Sequence, residues 1–414
     1  MYAADQRMAV RDYLARGVTR AKRVCRALLQ RACPRLAWHT PSRQVGNFPR
    51  TPPLTAKVGE VQVDIYTYGE DLYDAMFQAI EQADQQIWFE NFIWKGDHIG
   101  QRFKQALERA AQRGLDVYAV FDGFANLVVP RQFKRFPPTI HTLQFRIVPK
   151  PWQLLNPRHY GRDHRKILLV DGNVGFVGGY NIGARYATTW RDTHVCVRGP
   201  IIWQLEQVCS EFWAMHGGER VPHLAAGGAG VWESRIRVHR NAPTMLAFPI
   251  RDMYLAAIDR AQHHMYLTFG YFIPDRDVLR ALLAAAARGV DVRVLMPERS
   301  NHRLADWAAR GFYRTMLVGG ITVLLYQHAM LHAKTATIDG HWSTIGTANI
   351  DRLSLVGNYE VNLEFYDAEL AQQMERIFAT DSSNARELTL DEWRQHPWKI
   401  RFSEALLRPL RPLL

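Results

Sequence analysis

The sequence predicts an α/β protein built as two tandem α/β/α sandwich repeats, related by a pseudo-two-fold axis, with an active site at their interface. Three observations predict it. One set of polar residues occurs twice at fixed offsets: His164, Lys166, Asp171, Gly178 and Asn181, then His332, Lys334, Asp339, Gly346 and Asn349. A carboxylate follows each His by the same interval, as Asp192 and Glu360. Segments outside this set recur in the same order: Ala79-Ile80-Glu81-Gln82-Ala83 is echoed by Ala257-Ile258-Asp259-Arg260-Ala261, and Arg113-Gly114-Leu115-Asp116-Val117 by Arg288-Gly289-Val290-Asp291-Val292. Strand-like and helix-like stretches alternate in each copy, as in a buried sheet covered by helices. Each copy is therefore one structural unit carrying half of a site.

Residues 1–57 read as a basic arm and linker. Over 8–32, Val10, Leu14, Val18, Ala21, Cys25 and Leu28 share an apolar helical face, Arg16, Arg20, Arg23 and Arg31 lie largely off it, and Pro34 ends the pattern. Such a helix either docks on its own protein or lies on anionic headgroups. Thr40–Lys57, with four prolines, is linker. The first repeat, 58–216, opens on an alternating strand over Val61–Tyr66. A helix follows over Leu72–Ala83, then an apolar strand over Gln86–Trp94, a helix over Gln101–Arg113 stopped by Gly114, and a buried strand over Val117–Phe121. Residues 123–160, interrupted by five prolines, read as an irregular lid or substrate wall. The Gly- and Ala-rich stretch 217–232 is a connector, and 233–396 repeats the order of the first unit. The uncharged run between Arg314 and Lys334 contains Gly319-Gly320 and His328, and reads as a buried strand with its flanks instead of a span. The tail, 397–414, mixes Arg401 and Arg408 with several leucines; it packs as a terminal segment or touches a membrane.

At 414 residues, 47% hydrophobic and 22% charged, the chain has room for two globular cores. Cys25, Cys33, Cys196 and Cys209 show no paired spacing, which argues against a zinc site or disulfide framework. The net charge of +12 is concentrated: residues 1–56 hold eleven Arg/Lys against two Asp, a net of +9, leaving +3 for the rest. That arm suits an anionic partner, nucleic acid or an acidic membrane. With neither a secretory signal nor a spanning stretch evident, membrane contact is expected to be peripheral.

Strand alternation puts His164 and Lys166 on one face, and His332 and Lys334 likewise. Converging the halves brings two His and two Lys to one point, a set suited to a phosphate ester. The lysines neutralise phosphoryl oxygens, Asn181 and Asn349 donate to them, one neutral imidazole attacks phosphorus, and the other, protonated, donates to the leaving alkoxide. A nucleophilic ring needs its second nitrogen held by an acceptor, for which Asp192 and Glu360 are candidates. Asp171 and Asp339, counted with the catalytic set, each start an Asp-Gly turn and are expected to hold that turn or the lysines. No metal or other cofactor is expected: a Lys two residues from each His would repel a cation, and HExxH is absent. His194, His216, His263 and His264 read as ordinary polar positions.

These residues resemble the doubled HxKxxxxD signature of the phospholipase D superfamily, over roughly residues 58–380. Within it, Trp190-Arg191-Asp192-Thr193-His194, Tyr271-Phe272-Ile273-Pro274, Gly346-Thr347-Ala348-Asn349-Ile350-Asp351-Arg352 and Asn358-Tyr359-Glu360-Val361-Asn362 are similar to bacterial cardiolipin synthases of the shorter type without N-terminal transmembrane helices. The resemblance implies metal-free phosphatidyl transfer through a phosphatidyl-histidine. Two phosphatidylglycerol molecules would yield cardiolipin and glycerol, with His164 as nucleophile and His332 as general acid, then base. It implies phospholipid partners, phosphatidylglycerol or also phosphatidylethanolamine, an anionic membrane, and a peripheral place on the cytoplasmic side of a bacterial inner membrane. Glu298-Arg299-Ser300-Asn301 replaces an expected Lys-Ser-Asp-like stretch, and Asp122-Gly123-Phe124-Ala125 ends in Ala instead of Gly; both bear on donor and acceptor choice. The alternatives are a phospholipase D-type hydrolase, a nuclease, or a non-catalytic scaffold, the last two disfavoured by where the charge lies and by two intact motifs.

Overall fold

The structure, a computed structural model, describes residues 47–147, 160–217, 225 and 233–395. The helix expected over 8–32, most of the connector and the tail lie outside the described residues. In the first repeat the strands are β1 (Leu54–Val58), β2 (Val61–Tyr66), β3 (Gln86–Asn91), β4 (Asp116–Asp122), β5 (Ile140–Phe145), β6 (Lys166–Val170), β7 (Val174–Gly178), β8 (Trp190–Arg191) and β9 (His194–Arg198). The second repeat contributes β10 (Ile236–Asn241), β11 (His264–Phe269), β12 (Asp291–Pro297), β13 (Thr322–Tyr326), β14 (Met330–Leu331), β15 (Lys334–Ile338), β16 (Trp342–Gly346), β17 (Glu360–Tyr366) and β18 (Ala385–Glu387).

One sheet runs β1-β2-β9-β7-β6-β3-β4-β5 and the other β10-β17-β16-β15-β11-β12-β13-β18. Aligned on the His strands, β2-β9-β7-β6-β3-β4-β5 and β10-β17-β16-β15-β11-β12-β13 are one order repeated, so the duplication read from sequence is a duplication of topology. β1 and β18 are extra edge strands without counterparts. β1 begins at Leu54, inside the stretch read as linker, because Leu54–Val58 pairs antiparallel with Val61–Ile65 across a turn at Gly59. β5 lies inside the stretch read as irregular, pairing parallel with β4.

Three apolar layers follow from these faces. Helices Gly69–Glu81 and His98–Gln112 cover one side of the first sheet, burying Leu72, Met76, Phe103 and Leu107. Helices Pro249–Arg260, Arg276–Ala287 and Arg303–Val318 cover the matching side of the second. On the remaining faces, Val63, Trp88, Ile167 and Val195 of the first repeat pack in the same cluster as Ile345, Val361, Leu363 and Met374 of the second, and a smaller cluster joins Leu295, Tyr326 and Leu331 to Phe48 and Tyr68. The helices ending at Gln112 and Ala287 stop where expected, since Gly114 and Gly289 take φ of 94° and 93°, conformations that cost a side chain with Cβ.

β8 and β14 form their own two-stranded parallel ladder across the repeats, Leu331 opposite Arg191. The equivalent contact on the other side is a parallel bridge between Asp163 and Tyr359. The backbone is thus stitched twice, each time between the residue before a motif histidine and the residue before the other repeat's carboxylate.

Candidate active site

Those two stitches set the site. His164 N donates to Tyr359 O (3.0 Å) and His332 N donates to Arg191 O (2.7 Å). Each histidine is therefore registered against the strand start that carries the opposite repeat's carboxylate. The side chains follow: His164 Nδ1 lies 2.9 and 3.0 Å from the two Glu360 oxygens, and His332 Nδ1 lies 2.6 Å from Asp192 Oδ2. Carboxylates and rings meet in crossed pairs, His164 with Glu360 and His332 with Asp192. With both Nδ1 atoms engaged, Nε2 is the reactive nitrogen of each ring.

Lys166 and Lys334 start β6 and β15, are wholly buried, and donate from Nζ to the carbonyls of His164 and His332 respectively. Asn181 Oδ1 accepts from Ile93 N (3.1 Å) and Asn349 Oδ1 from Tyr271 N (3.2 Å). Fixing each amide oxygen this way leaves Nδ2 as the donor for an oxyanion.

Asp171 and Asp339 are not brought to this centre, which corrects their place in the catalytic set. Each follows the far end of its strand, five residues beyond the lysine, about 16 Å along an extended chain. Asp171 accepts three backbone N–H groups, from Asp84, Gln85 and Gln86, each at 2.8 Å; Asp339 does the same for Gln262, His263 and His264. Both take positive φ, 50° and 53°. They clamp the entry of β3 and β11 and touch neither lysine. Asp339→Ala is expected to lower stability by about 1–3 kcal/mol, the cost of stranding amides. It should lower Tm, while turnover per folded molecule stays near that of the unmodified chain.

Three aromatic walls escaped the sequence reading. Phe92 packs edge-on to His164 at 4.6 Å between ring centres; Trp190 and Tyr271 pack on His332 at 5.1 and 6.0 Å. The walls are not symmetric: Gly270 stands where Phe92 would repeat, and a Cβ there would lie 3.0 Å from His332 Cα. Thr347 was also missed; its hydroxyl donates to Glu360 at 2.5 Å. His216, read as an ordinary polar position, has its Nε2 3.0 Å from the Tyr359 hydroxyl. His194 is fully buried one strand from the site, held neutral by burial with a pKa of about 3. Only its place in Trp190–His194 could have flagged it.

Burial dominates the electrostatics. It lowers His164 well below the ordinary imidazole value, with Lys166 and Lys334 adding to the effect, and brings His332 down to about 3. It brings Lys166 to about 7 and Lys334 to about 8. The carboxylates diverge. Burial lifts Glu360 to about 7; at Asp192 burial also pushes up, but Lys334, His332 and the Thr193 amide together hold it below the ordinary value. An anion entering this pocket favours the ammonium forms of both lysines and the neutral form of Glu360. Oxyanion binding should therefore take up protons near neutral pH, be tightest below about pH 7, and weaken as pH rises through 7–8. Tungstate titrations by calorimetry, in two buffers of different ionisation enthalpy, check the sign; proton release, or none, would contradict it.

Comparisons with known proteins give the family and the fold. A family model described as "Cardiolipin synthase, PLD-like domain" matches residues 76–215 and 254–382, one match in each repeat. The cardiolipin synthase of Geobacillus kaustophilus is 31% identical over 369 residues, covering 85% of this chain and 72% of that protein. That of Listeria monocytogenes is 30% identical over 363 residues, covering 85% and 75%. Among solved structures, the phosphatidylserine synthase of Haemophilus influenzae superposes with a TM-score of 0.67 at 13% identity, covering 88% of this chain and 97% of that one, a likeness of fold.

Proposed function

The chain belongs to the cardiolipin synthase family of the phospholipase D superfamily and is a phosphatidyl transferase, and from that premise we propose that it joins two phosphatidylglycerol molecules into cardiolipin and glycerol. The observation that carries the reading is the crossed pairing of each repeat's histidine with the other repeat's carboxylate above two buried lysines.

In the first step His164 Nε2 attacks phosphorus of the donor lipid. The P–O bond to the headgroup glycerol breaks, and its oxygen takes a proton from His332. Glycerol leaves and the phosphatidyl group stays on His164. In the second step the headgroup hydroxyl of another phosphatidylglycerol gives its proton to His332 and attacks phosphorus, breaking the P–N bond. Lys166 and Lys334 offset the charge on the non-bridging oxygens, and Asn181 and Asn349 donate to them. The order of roles is taken from the resemblance, since burial holds both rings neutral in the free site, His332 at about 3. The proton that His332 donates arrives with the anionic donor lipid, whose phosphate, together with Asp192, favours the imidazolium.

Phosphatidylethanolamine is an alternative donor. The reading puts the chain on the cytoplasmic side of a bacterial inner membrane as a peripheral protein in contact with anionic lipid. Among the described residues no helix is long and apolar enough to cross a membrane. Purified full-length protein given labelled phosphatidylglycerol should yield cardiolipin and glycerol. Phosphatidic acid as sole product would assign hydrolysis instead.

A further inference from the structure

Exposed apolar side chains gather at one end of the molecule. β3, β4, β10, β11 and β12 end there, and β6 and β15 begin there just after the two histidines. Of the ten exposed large hydrophobics among the described residues, only Val318 lies elsewhere, at the far end of the helix that starts at Arg303.

Three groups surround the opening. After β4, Phe124 and Val128 are 56% and 80% exposed, with Leu127 between them. Asn126 pins this turn over the site wall: its Nδ2 donates to Phe92 O at 2.8 Å. After β10, Met245 and Leu246 project outward, and Leu246 takes φ 54°, which a bulky residue adopts only at a cost. Beneath them Thr244 Oγ1 lies 2.9 Å from the hydroxyl of Tyr359, the neighbour of Glu360. On the His332 side, Tyr271 donates to Asn301 at 2.5 Å, and Leu304 stands exposed just beyond.

Single exposed hydrophobics need no explanation, but a ring of them around one opening does. The same loops expose Arg135, Arg185, Arg299 and Arg352, while Asp163, Asp192 and Asp351 are buried and Glu298 and Asp277 are paired with Arg386 and Arg251. Apolar tips set among exposed cations match the boundary between anionic headgroups and acyl chains. We infer that this end is a lipid-docking face: Phe124, Leu127, Val128, Met245, Leu246 and Leu304 enter an anionic phospholipid bilayer and seat the composite site directly on its substrates. The inference rests on the phosphatidyl-transfer reading and deepens it, because the catalytic core itself then holds the membrane, independently of the basic N-terminal arm.

The test compares full-length Leu127→Ser/Val128→Ser/Leu304→Ser with Val318→Ser. Both are sedimented with phosphatidylglycerol/phosphatidylethanolamine vesicles, and both are assayed on those vesicles and on monomeric dihexanoyl-phosphatidylglycerol. The triple variant should bind vesicles about 10- to 100-fold more weakly, the scale set by three partly buried side chains. Its ratio of vesicle to monomer turnover should fall by a similar factor, and Val318→Ser should match the unmodified protein. Equal vesicle binding by the two variants would overturn the docking face and give the membrane to the arm. Weakened binding of the triple variant, with no transfer by the unmodified protein on either substrate, would uphold the face and sink the transferase reading.

Discussion

His164→Ala abolishes phosphatidyl transfer and covalent labelling: the expected loss in turnover is about 10⁴-fold or more, as for other enzymes stripped of their nucleophile. The imidazole cannot be replaced by a neighbour. His332 is tied through Nδ1 to Asp192, and Phe92 fills the space beside His164. His332→Asn should behave differently. It keeps the nucleophile and removes the proton donor, costing about 10²- to 10⁴-fold. Because the second step also needs His332, as base, the phosphatidyl-enzyme should accumulate. Glu360→Gln falls between, at about 10- to 100-fold, since it loosens the ring without removing it. Steady-state turnover with acid-quenched labelling ranks the three; equal losses with no adduct in any would contradict the division of labour.

Asp381→Ala carries the largest expected effect on stability, about 3–5 kcal/mol, because it strands a buried guanidinium. Arg191 is 1% exposed and grips Asp381 with Nε–Oδ1 at 2.8 Å and Nη2–Oδ2 at 2.7 Å. Its Nη1 also donates to Asp192 O and to Thr193 Oγ1 (2.9 Å), and its own carbonyl receives His332 N. The ion pair therefore ties a helix of the second repeat to the strand start that carries Asp192. A paired change, Arg191→Met with Asp381→Leu, should recover most of the stability, since nothing charged is then left unpaired. Turnover should stay low, because the support beneath Asp192 is gone. Chemical denaturation of the single and double variants checks the first point; full activity in the double variant would contradict the second.

The sequence carried the duplicated topology because each repeat had to keep its own sheet alternation and helix stops, down to Gly114 and Gly289. It also carried the polar residues of the centre, since His, Lys and Asn at fixed offsets have no packing explanation. The crossing of the carboxylates could not be read: Asp192 and Glu360 stand at the same interval from their own histidines, and only the parallel bridges Leu331–Arg191 and Asp163–Tyr359 exchange them. Asp171 and Asp339 misled for the opposite reason. They recur as faithfully as the histidines because both repeats need the same three-amide clamp at a strand entry. The part that Phe92, Trp190 and Tyr271 play as walls could not be read, although Trp190 and Tyr271 stand in the family-like stretches, because the two walls are built from different positions and repetition gave no signal.

The most direct test maps the covalent adduct. His332→Asn protein is given phosphatidylglycerol, quenched in acid, digested, and the phosphatidyl-bearing peptide is sequenced by mass spectrometry. The expected adduct is on His164, absent in His164→Ala/His332→Asn. An adduct on any other residue, or cardiolipin formed by His164→Ala protein, would contradict a single composite centre in which His164 attacks and His332 moves the proton.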